Sequence, residues 1–262
     1  MNNETILLIG GTTEARHAAV RLKAEGYIVI VSVATPLGGS LSPAPMTETG
    51  RKTAPEIAMR VEELGAAAIV DCTHPFAVQA SKEARRAAAI AGVEYRRFTR
   101  PPSRYSSPDI IHAGSWQEAV NLLAETGSRA LLTIGVRNLE LFTSAGLDFV
   151  ARILPQADSF AECARLGIGP ERIIAAWPPF DVEFNRACIR HAKAITLLSK
   201  DSGAEGGVPE KLEAALAEGA RAIVVARPDE KQVFDDMDAL VESLQGTLER
   251  CVSKKAFGGI VS

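Results

Sequence analysis

The chain has 262 residues, of which 47% are hydrophobic, and a formal net charge of −3. That length holds one large or two modest domains, and the slightly acidic balance argues against a general nucleic-acid binder, which would present a basic surface. Ala, Gly, Val, Leu and Ile dominate while aromatic residues are only 5%, a bias that suits parallel sheets covered by helices. The opening Met1-Asn2-Asn3-Glu4-Thr5 has no basic segment, and the apolar run Ile6 to Ile9 is too short for a signal peptide. No stretch approaches the roughly 18 apolar residues of a membrane helix. Cys72, Cys163, Cys188 and Cys251 are scattered, without CxxC or zinc-like spacing, so free thiols in a reducing cytoplasm are expected and no metal site is.

In chain order, Ile6-Leu7-Leu8-Ile9 is a continuous apolar run, as in a strand buried on both faces. After Gly10-Gly11 the apolar residues Ala15, Ala18, Ala19 and Leu22 fall on one helical face, and Gly26 ends the helix. Residues 27–34 form the next expected strand. Thr53-Ala54-Pro55-Glu56 is a capping box, opening a helix that buries Ile57, Val61 and Leu64. A strand over 66–71, an alanine-rich helix over 77–91 and strands over 93–98 and 109–113 follow. Ser115-Trp116-Gln117-Glu118 is a second capping box, and its helix ends near Gly127.

The pattern then restarts, with strands expected over 129–135, 148–154, 172–176, 194–199 and 221–226. Helices are expected over 158–166, 181–191, 209–218 and 229–244. Strands and helices alternating at this spacing imply βαβ units and parallel sheets. The expected fold is α/β, with two Rossmann-like domains, each a parallel sheet flanked by helices, and a ligand cleft between them. The polar break over 125–128 places the boundary between an N-terminal domain, 1–127, and a C-terminal domain, 128–262.

In such sheets ligands bind beyond the carboxyl ends of the strands, and the residues there are polar and glycine-rich. Gly10 and Gly11 permit a tight turn, and the helix after them offers backbone N–H groups to a phosphate. Thr12, Thr13 and Glu14 complete this loop, which is not a GxGxxG fingerprint; the plainer reading is that Thr12 or Thr13 caps the helix. Thr73, His74, Pro75 and Phe76 follow another strand, where a histidine could hold a carboxylate or ribose, donate a proton, or only bond its own loop. Arg96, Arg97, Arg100 and Arg104 form a basic cluster. Strand alternation puts Arg96 and Arg97 on opposite faces, a solvated charge run accounts for at least two of the four, and Arg100 is the best candidate for an anionic group. Gly135 and Arg137 follow a strand of the second half. Lys200, Asp201, Ser202 and Gly203 follow another and make an anion loop that is not a Walker A motif.

Several of these segments resemble the precorrin-6A and cobalt-precorrin-6A reductase family of cobalamin biosynthesis. They are Ile-Gly-Gly-Thr-Thr-Glu-Ala-Arg at 9–16, Val-Asp-Cys-Thr-His-Pro-Phe-Ala at 70–77 and Arg-Pro at 100–101. Further ones are Leu-Thr-Ile-Gly at 132–135 with Leu139 and Phe142, Arg152-Ile153-Leu154-Pro155, and Lys200-Asp201-Ser202-Gly203 followed by Lys211. The likeness runs in order over nearly the whole chain, and the 70–77 segment is its most specific part. It implies an enzyme that reduces a carbon–carbon double bond of the corrinoid macrocycle with a nicotinamide cofactor. Gly10, Gly11, Thr12, Thr13, Glu14, Thr73, His74, Pro75 and Phe76 would then meet the cofactor. Arg100, Gly135, Arg137, Lys200, Asp201, Ser202 and Gly203 would meet the carboxylate-rich substrate. No proton donor is identified.

Where many members of the family carry Gly-Gly-Phe-Gly-Gly, this chain has Glu48-Thr49-Gly50-Arg51-Lys52-Thr53, which looks more like the branch acting on the cobalt-containing substrate. No acidic residue lies near Ser32 to Thr35 to grip a ribose 2′-hydroxyl, which favours NADPH over NADH, with Arg51 or Lys52 toward the 2′-phosphate. Two alternatives stand beside this reading: another nucleotide-dependent reductase on a similar fold, and a two-lobed cytoplasmic binding or sensor protein without catalysis.

Overall fold

The structure is a computed structural model, and its described residues are 4–34, 47–101, 105–228 and 233–245. They divide into two compact units: those within 1–101 and 229–262, and those within 102–228. Arg104, Cys251 and Thr35 lie outside the described residues.

The first unit contains β1 (Thr5–Gly10), α1 (Thr13–Ala24), β2 (Ile28–Val33), β3 (Thr47–Thr49), α2 (Ala54–Leu64), β4 (Ala66–Asp71), α3 (Val78–Ala91) and β5 (Glu94–Phe98). In the second are β6 (Ile110–Ala113), α4 (Trp116–Thr126), β7 (Ala130–Leu132), α5 (Leu139–Ser144), β8 (Phe149–Ile153) and α6 (Ala157–Arg165). It continues with β9 (Ile173–Ala175), α7 (Val182–Ala192), β10 (Thr196–Lys200), α8 (Val208–Ala217) and β11 (Arg221–Val225). The chain then returns to the first unit with β12 (Val233–Phe234) and a helix, α9, over residues 237–245.

The strand order of the first sheet is β3-β2-β1-β4-β5-β12, and every pairing is parallel. This is the 3-2-1-4-5-6 order of dinucleotide-binding sheets, with its topological switch between β1 and β4. Successive side chains of a strand face opposite ways, and here both faces are apolar. Ile6 and Leu8 pack with Ala15, Ala18 and Leu22 of α1 and with Leu240 and Leu244 of α9. Leu7 and Ile9 pack with Ile57 and Val61 of α2 and with Ala84 and Ala88 of α3. Strands buried on both sides explain the continuous apolar run at the start of the chain.

The second sheet is ordered β6-β11-β10-β7-β8-β9, again all parallel. Its consecutive strands β7 to β11 repeat the 3-2-1-4-5 arrangement, with β6 in the sixth place and the switch between β7 and β10. Each sheet therefore takes its sixth strand from the far side of the segment that builds the other five. In the first unit that strand follows the whole second unit, and in the second it precedes the repeat.

This exchange moves the expected boundary. The division at 127/128 put β6 and α4 in the first half, but β6 pairs with β11 from Ile110↔Ala222's register through Ala113↔Val225, and α4 packs against β11. The polar stretch 125–128 is only the turn from α4 to β7. Each sheet has six strands rather than five, and Val233–Phe234 is a strand where a helix over 229–244 was expected. The helix α5 was not anticipated. Both capping segments do open helices: the Glu56 carboxylate accepts from the Thr53 N–H at 2.7 Å, and Ser115 Oγ accepts from the Glu118 N–H at 3.1 Å. Among the described residues no helix is long and apolar enough to cross a membrane.

Candidate functional site

Because all strands of each sheet run parallel, each sheet gathers its carboxyl ends along one rim. On the first rim, Gly10 leaves no room for a side chain, since a Cβ there would lie 2.5 Å from Ala15 Cβ of α1. Gly11 has open space around its Cα but a φ of +116°, which side-chain-bearing residues rarely adopt. Thr12 caps α1, accepting from Ala15 N–H at 3.1 Å, and its hydroxyl donates to Cys72 O at 2.8 Å, tying the ends of β1 and β4 together. The capping reading of Thr12 is thus correct, while Thr13 Oγ1 accepts from Arg16. Glu14 is buried in the first turn of α1 and accepts from Arg100 Nη2 at 2.7 Å; its other carboxylate oxygen, also buried, has no partner among the described residues. Arg100 is therefore engaged with the glycine loop of the first unit.

The other half of this rim rests on an ion pair that is wholly buried. Arg97 Nη1 lies 3.1 Å from Asp71 Oδ1, with both side chains at 0% exposure. Asp71 also accepts from the Thr73 N–H at 2.9 Å and the Tyr95 hydroxyl at 2.7 Å. Arg97 Nη1 donates in addition to Thr73 O at 2.8 Å. Thr73 Oγ1 and Ser81 Oγ, 3.0 Å apart, fasten the loop to α3. Burial, and then the Asp71 charge, raises the pKa of the Tyr95 hydroxyl and of the Cys72 thiol, so neither is an available nucleophile. The charge run at 96–104 is thus not all solvated: Arg97 is a structural cation, and Arg96 bonds Glu94 and Ser243.

On this support sit His74, Pro75 and Phe76. His74 Nδ1 accepts from the Phe76 N–H at 3.1 Å, an arrangement that puts the ring proton of a neutral imidazole on Nε2. Pro75 is buried. At the outer part of the rim, Lys52 Nζ lies 3.4 Å from Ser32 Oγ, near the end of β2, and 3.4 Å from Glu48.

The second rim has a different electrical character. Thr133, just after β7, bonds across the switch to Leu198 O of β10 through its N–H at 2.8 Å and its hydroxyl at 3.1 Å. Gly135 has a φ of +75° in the loop that carries Arg137. Asp201 accepts from the Gly203 N–H at 3.2 Å and pairs with Arg227 at 3.4 Å, and Ser202 Oγ donates to Gly206 O at 3.3 Å, so the 200–203 loop is internally braced. Lys200 is pushed down to about 8, by burial and then by the charge of Arg137. Lys211, in α8, donates to Gly206 O at 2.9 Å and is pushed down to about 7, by burial, then by Arg152 and then by Lys200. Arg152, on β8, donates to Asn185 Oδ1 at 2.7 Å and lies 4.2 Å over the Phe180 ring. Arg137, Lys200, Lys211 and Arg152 thus follow one another as a chain of neighbouring cations, and among the described residues none of Arg137, Arg152 and Lys211 forms an ion pair with a carboxylate.

Arg97 and Tyr95 were not anticipated as site-shaping residues, and Asp71, Arg152 and Lys211 were recognised only as members of resembling segments, without a role. The expected loops at 10–14, 73–76, 135–137 and 200–203 do all fall on the carboxyl-end rims.

Two parallel sheets of Rossmann-like order define an α/β protein of the doubly wound class, with a glycine turn at one switch point and clustered cations at the other. Residues 5–245 match the family described as Precorrin-6x reductase CbiJ/CobK. The cobalt-precorrin-6A reductase of Priestia megaterium is 34% identical over 248 residues, covering 91% of this chain and 97% of that protein. The precorrin-6A reductase of Mycobacterium tuberculosis is 29% identical over 224 residues, covering 85% and 88%. A solved structure titled CobK precorrin-6A reductase superposes with a TM-score of 0.75 at 25% identity, covering 93% of this chain and 97% of that one. The chain belongs to the precorrin-6x reductase family, and it is accordingly a reductase of the corrinoid macrocycle in cobalamin biosynthesis.

Proposed function

We propose that the protein reduces the cobalt-containing form of the precorrin-6A macrocycle with NADPH in the cytoplasm, holding the dinucleotide on the first rim and the carboxylates of the corrinoid on the second. The observation that carries this reading is the Gly10–Gly11 turn at the switch point of the first sheet. Gly10 brings strand and helix into contact, Gly11 takes the positive φ, and the N-terminus of α1 is left facing the position where a pyrophosphate is held in this strand order. The buried Glu14 oxygen without a donor suits a ribose hydroxyl. Lys52 beside Ser32 puts a cation near the end of β2, where NAD-binding sheets carry a carboxylate, and so supports the 2′-phosphate of NADPH.

A bound nicotinamide would supply hydride, and the residues here do the positioning. Thr12, Thr73 and the Asp71–Arg97 pair hold the two loops of the switch. His74, whose Nδ1 accepts from the Phe76 N–H, serves as a positioning residue rather than the acid. Gly135, Arg137, Lys200, Asp201, Ser202 and Gly203 line the substrate rim, and Arg100 acts on the dinucleotide loop through Glu14. Preference for the cobalt form rests on the Gly50-Arg51 pattern and on the higher identity to the cobalt-precorrin relative.

The test is a nicotinamide oxidation assay. Purified protein should consume NADPH faster than NADH in the presence of cobalt-precorrin-6A, and more slowly with the metal-free macrocycle. Equal turnover of both dinucleotides and both macrocycles would remove the two preferences, and no turnover of any combination would remove the reading.

A further inference from the structure

The cations of the second rim raise a question of charge that the fold itself leaves open. Arg152 is 6% exposed and Lys211 is 8% exposed, yet the groups facing them are mostly neutral or positive. Around Lys211 are Gly206 O, Arg152, Lys200 and Glu210; around Arg152 are Asn185, the Phe180 ring and Cys188. Among the described residues Glu210, adjacent in α8, is the one acidic group acting on Lys211, and no ion pair joins them. A buried cation without a counter-charge is costly, and proteins normally pair or neutralise it. Two such side chains meet here, Arg152 from β8 and Lys211 from α8, with Lys200 of β10 also acting on Lys211 and Arg137 acting on Lys200. That gathering is unfavourable for the empty protein and becomes favourable once an anion is present.

We infer that Lys211 and Arg152 form the floor of an anion site in the second unit, with Lys200 and Arg137 at its mouth, and that the site takes a carboxylate of the macrocycle. This rests on the reading that the second rim receives the corrinoid, and it adds two side chains to which that reading gives no role. The Phe180 ring under Arg152, itself stacked on Phe184 at 5.0 Å, holds the guanidinium in place without neutralising it. Lys211 and Lys200 are poised at about 7 and about 8, so at pH 8 the empty site is partly deprotonated. An arriving carboxylate favours the ammonium form of both, and binding then draws protons from solvent.

The experiment is calorimetric titration of the full-length protein at pH 8, in two buffers of different ionisation enthalpy, with cobalt-precorrin-6A and separately with NADP+. Wild type should take up protons with the corrinoid and not with NADP+. Lys211→Met and Arg152→Met should bind the corrinoid at least about tenfold more weakly, the scale of one lost charge-assisted hydrogen bond, with proton uptake reduced in Lys211→Met. NADP+ affinity should be unchanged, and Lys211→Arg, which keeps the charge, should retain most corrinoid affinity. Folded Met variants with wild-type corrinoid affinity would overturn the inference, as would variants weakened for NADP+ alone, which would make the ligand group a phosphate. If wild type binds no corrinoid, the proposed function has failed, and the anion site is then judged with citrate as a polycarboxylate probe. Citrate should raise the thermal midpoint of wild type and not of Lys211→Met; equal shifts in both would overturn the site by itself.

Discussion

The two sheets share a strand order, but their rims handle charge in opposite ways. On the first, the principal cations have partners: Arg97 with Asp71, Arg100 with Glu14, and Lys52 with Glu48. On the second, Asp201 and Arg227 pair, while Arg137, Arg152 and Lys211 have no carboxylate among the described residues. Paired charges make a rigid rim, on which the proposed function gives the binding to backbone N–H groups and a helix N-terminus. On the second rim the same proposal has the ligand complete the charge. One topology thus carries two distributions of charge, and the difference lies in where counter-charges are placed.

The comparison breaks most severely at Arg97. Replacing it with Met leaves Asp71 buried without its cation and frees Thr73 from the guanidinium, so stability should fall by about 3–5 kcal/mol. Urea denaturation measures this directly. Asp71→Asn combined with Arg97→Met should lose less than Arg97→Met alone, because no charge is then left uncompensated. If the single substitution costs under about 1 kcal/mol, in the range of exposed pairs, the first rim does not depend on this pair.

A smaller effect, confined to one ligand, is expected on the second rim. Arg137→Ala and Lys200→Ala should each raise the KM for the corrinoid by roughly 10–100-fold, corresponding to about 1.5–3 kcal/mol for a hydrogen bond to a charged group, with the KM for NADPH nearly constant. The pH dependence has a definite sign. Lys200 is lowered from the ordinary 10.5 to about 8, so the binding cation is present below that pH and lost above it. The corrinoid KM of wild type should climb as pH rises through about 7 and then about 8, where Lys211 and Lys200 in turn lose their charge, and Lys200→Ala should remove the upper part of the climb. A parallel rise in the KM for NADPH would place Lys200 with the dinucleotide.

Much of this was legible in the sequence, for physical reasons that also mark its limits. Strands buried on both faces declare themselves as apolar runs, and Thr53 and Ser115 announce helix starts, so the alternation of elements was visible. The exchange of sixth strands was not. β3 and β12 span only three and two residues, too few for any periodicity, and β6 looks like a sequel to β5 until its pairing with β11 is seen. Arg97 illustrates a second limit. Alternation separates it from Arg96 but does not say which face is buried, because its partner Asp71 is 26 residues away. Loops after strands were recognisable as binding positions, whereas Lys211 lies in a helix and Arg152 in a strand, places where a cation ordinarily reads as solvated.

The mildest prediction concerns which dinucleotide the first rim prefers, and it sharpens the comparison by asking whether any cation there is held for a ligand. Lys52 is the candidate, because its ammonium stands between Ser32 and Glu48, 3.4 Å from each. Both side chains are partly accessible, so the Glu48 pairing is weak and a phosphate can compete for the ammonium. Lys52→Ala should therefore lower the ratio of kcat/KM for NADPH over NADH by about five- to tenfold, roughly 1–1.4 kcal/mol for a screened contact between cation and phosphate. The kcat with saturating NADPH should change little, since the 2′-phosphate is far from the transferred hydride. Glu48→Gln should move the ratio the other way, by releasing the lysine from its neighbour. Raising the ionic strength should reduce the wild-type ratio toward that of Lys52→Ala. If neither substitution alters the ratio, the ammonium is only an ion-pair partner within the first unit, and every cation of that rim is then structural.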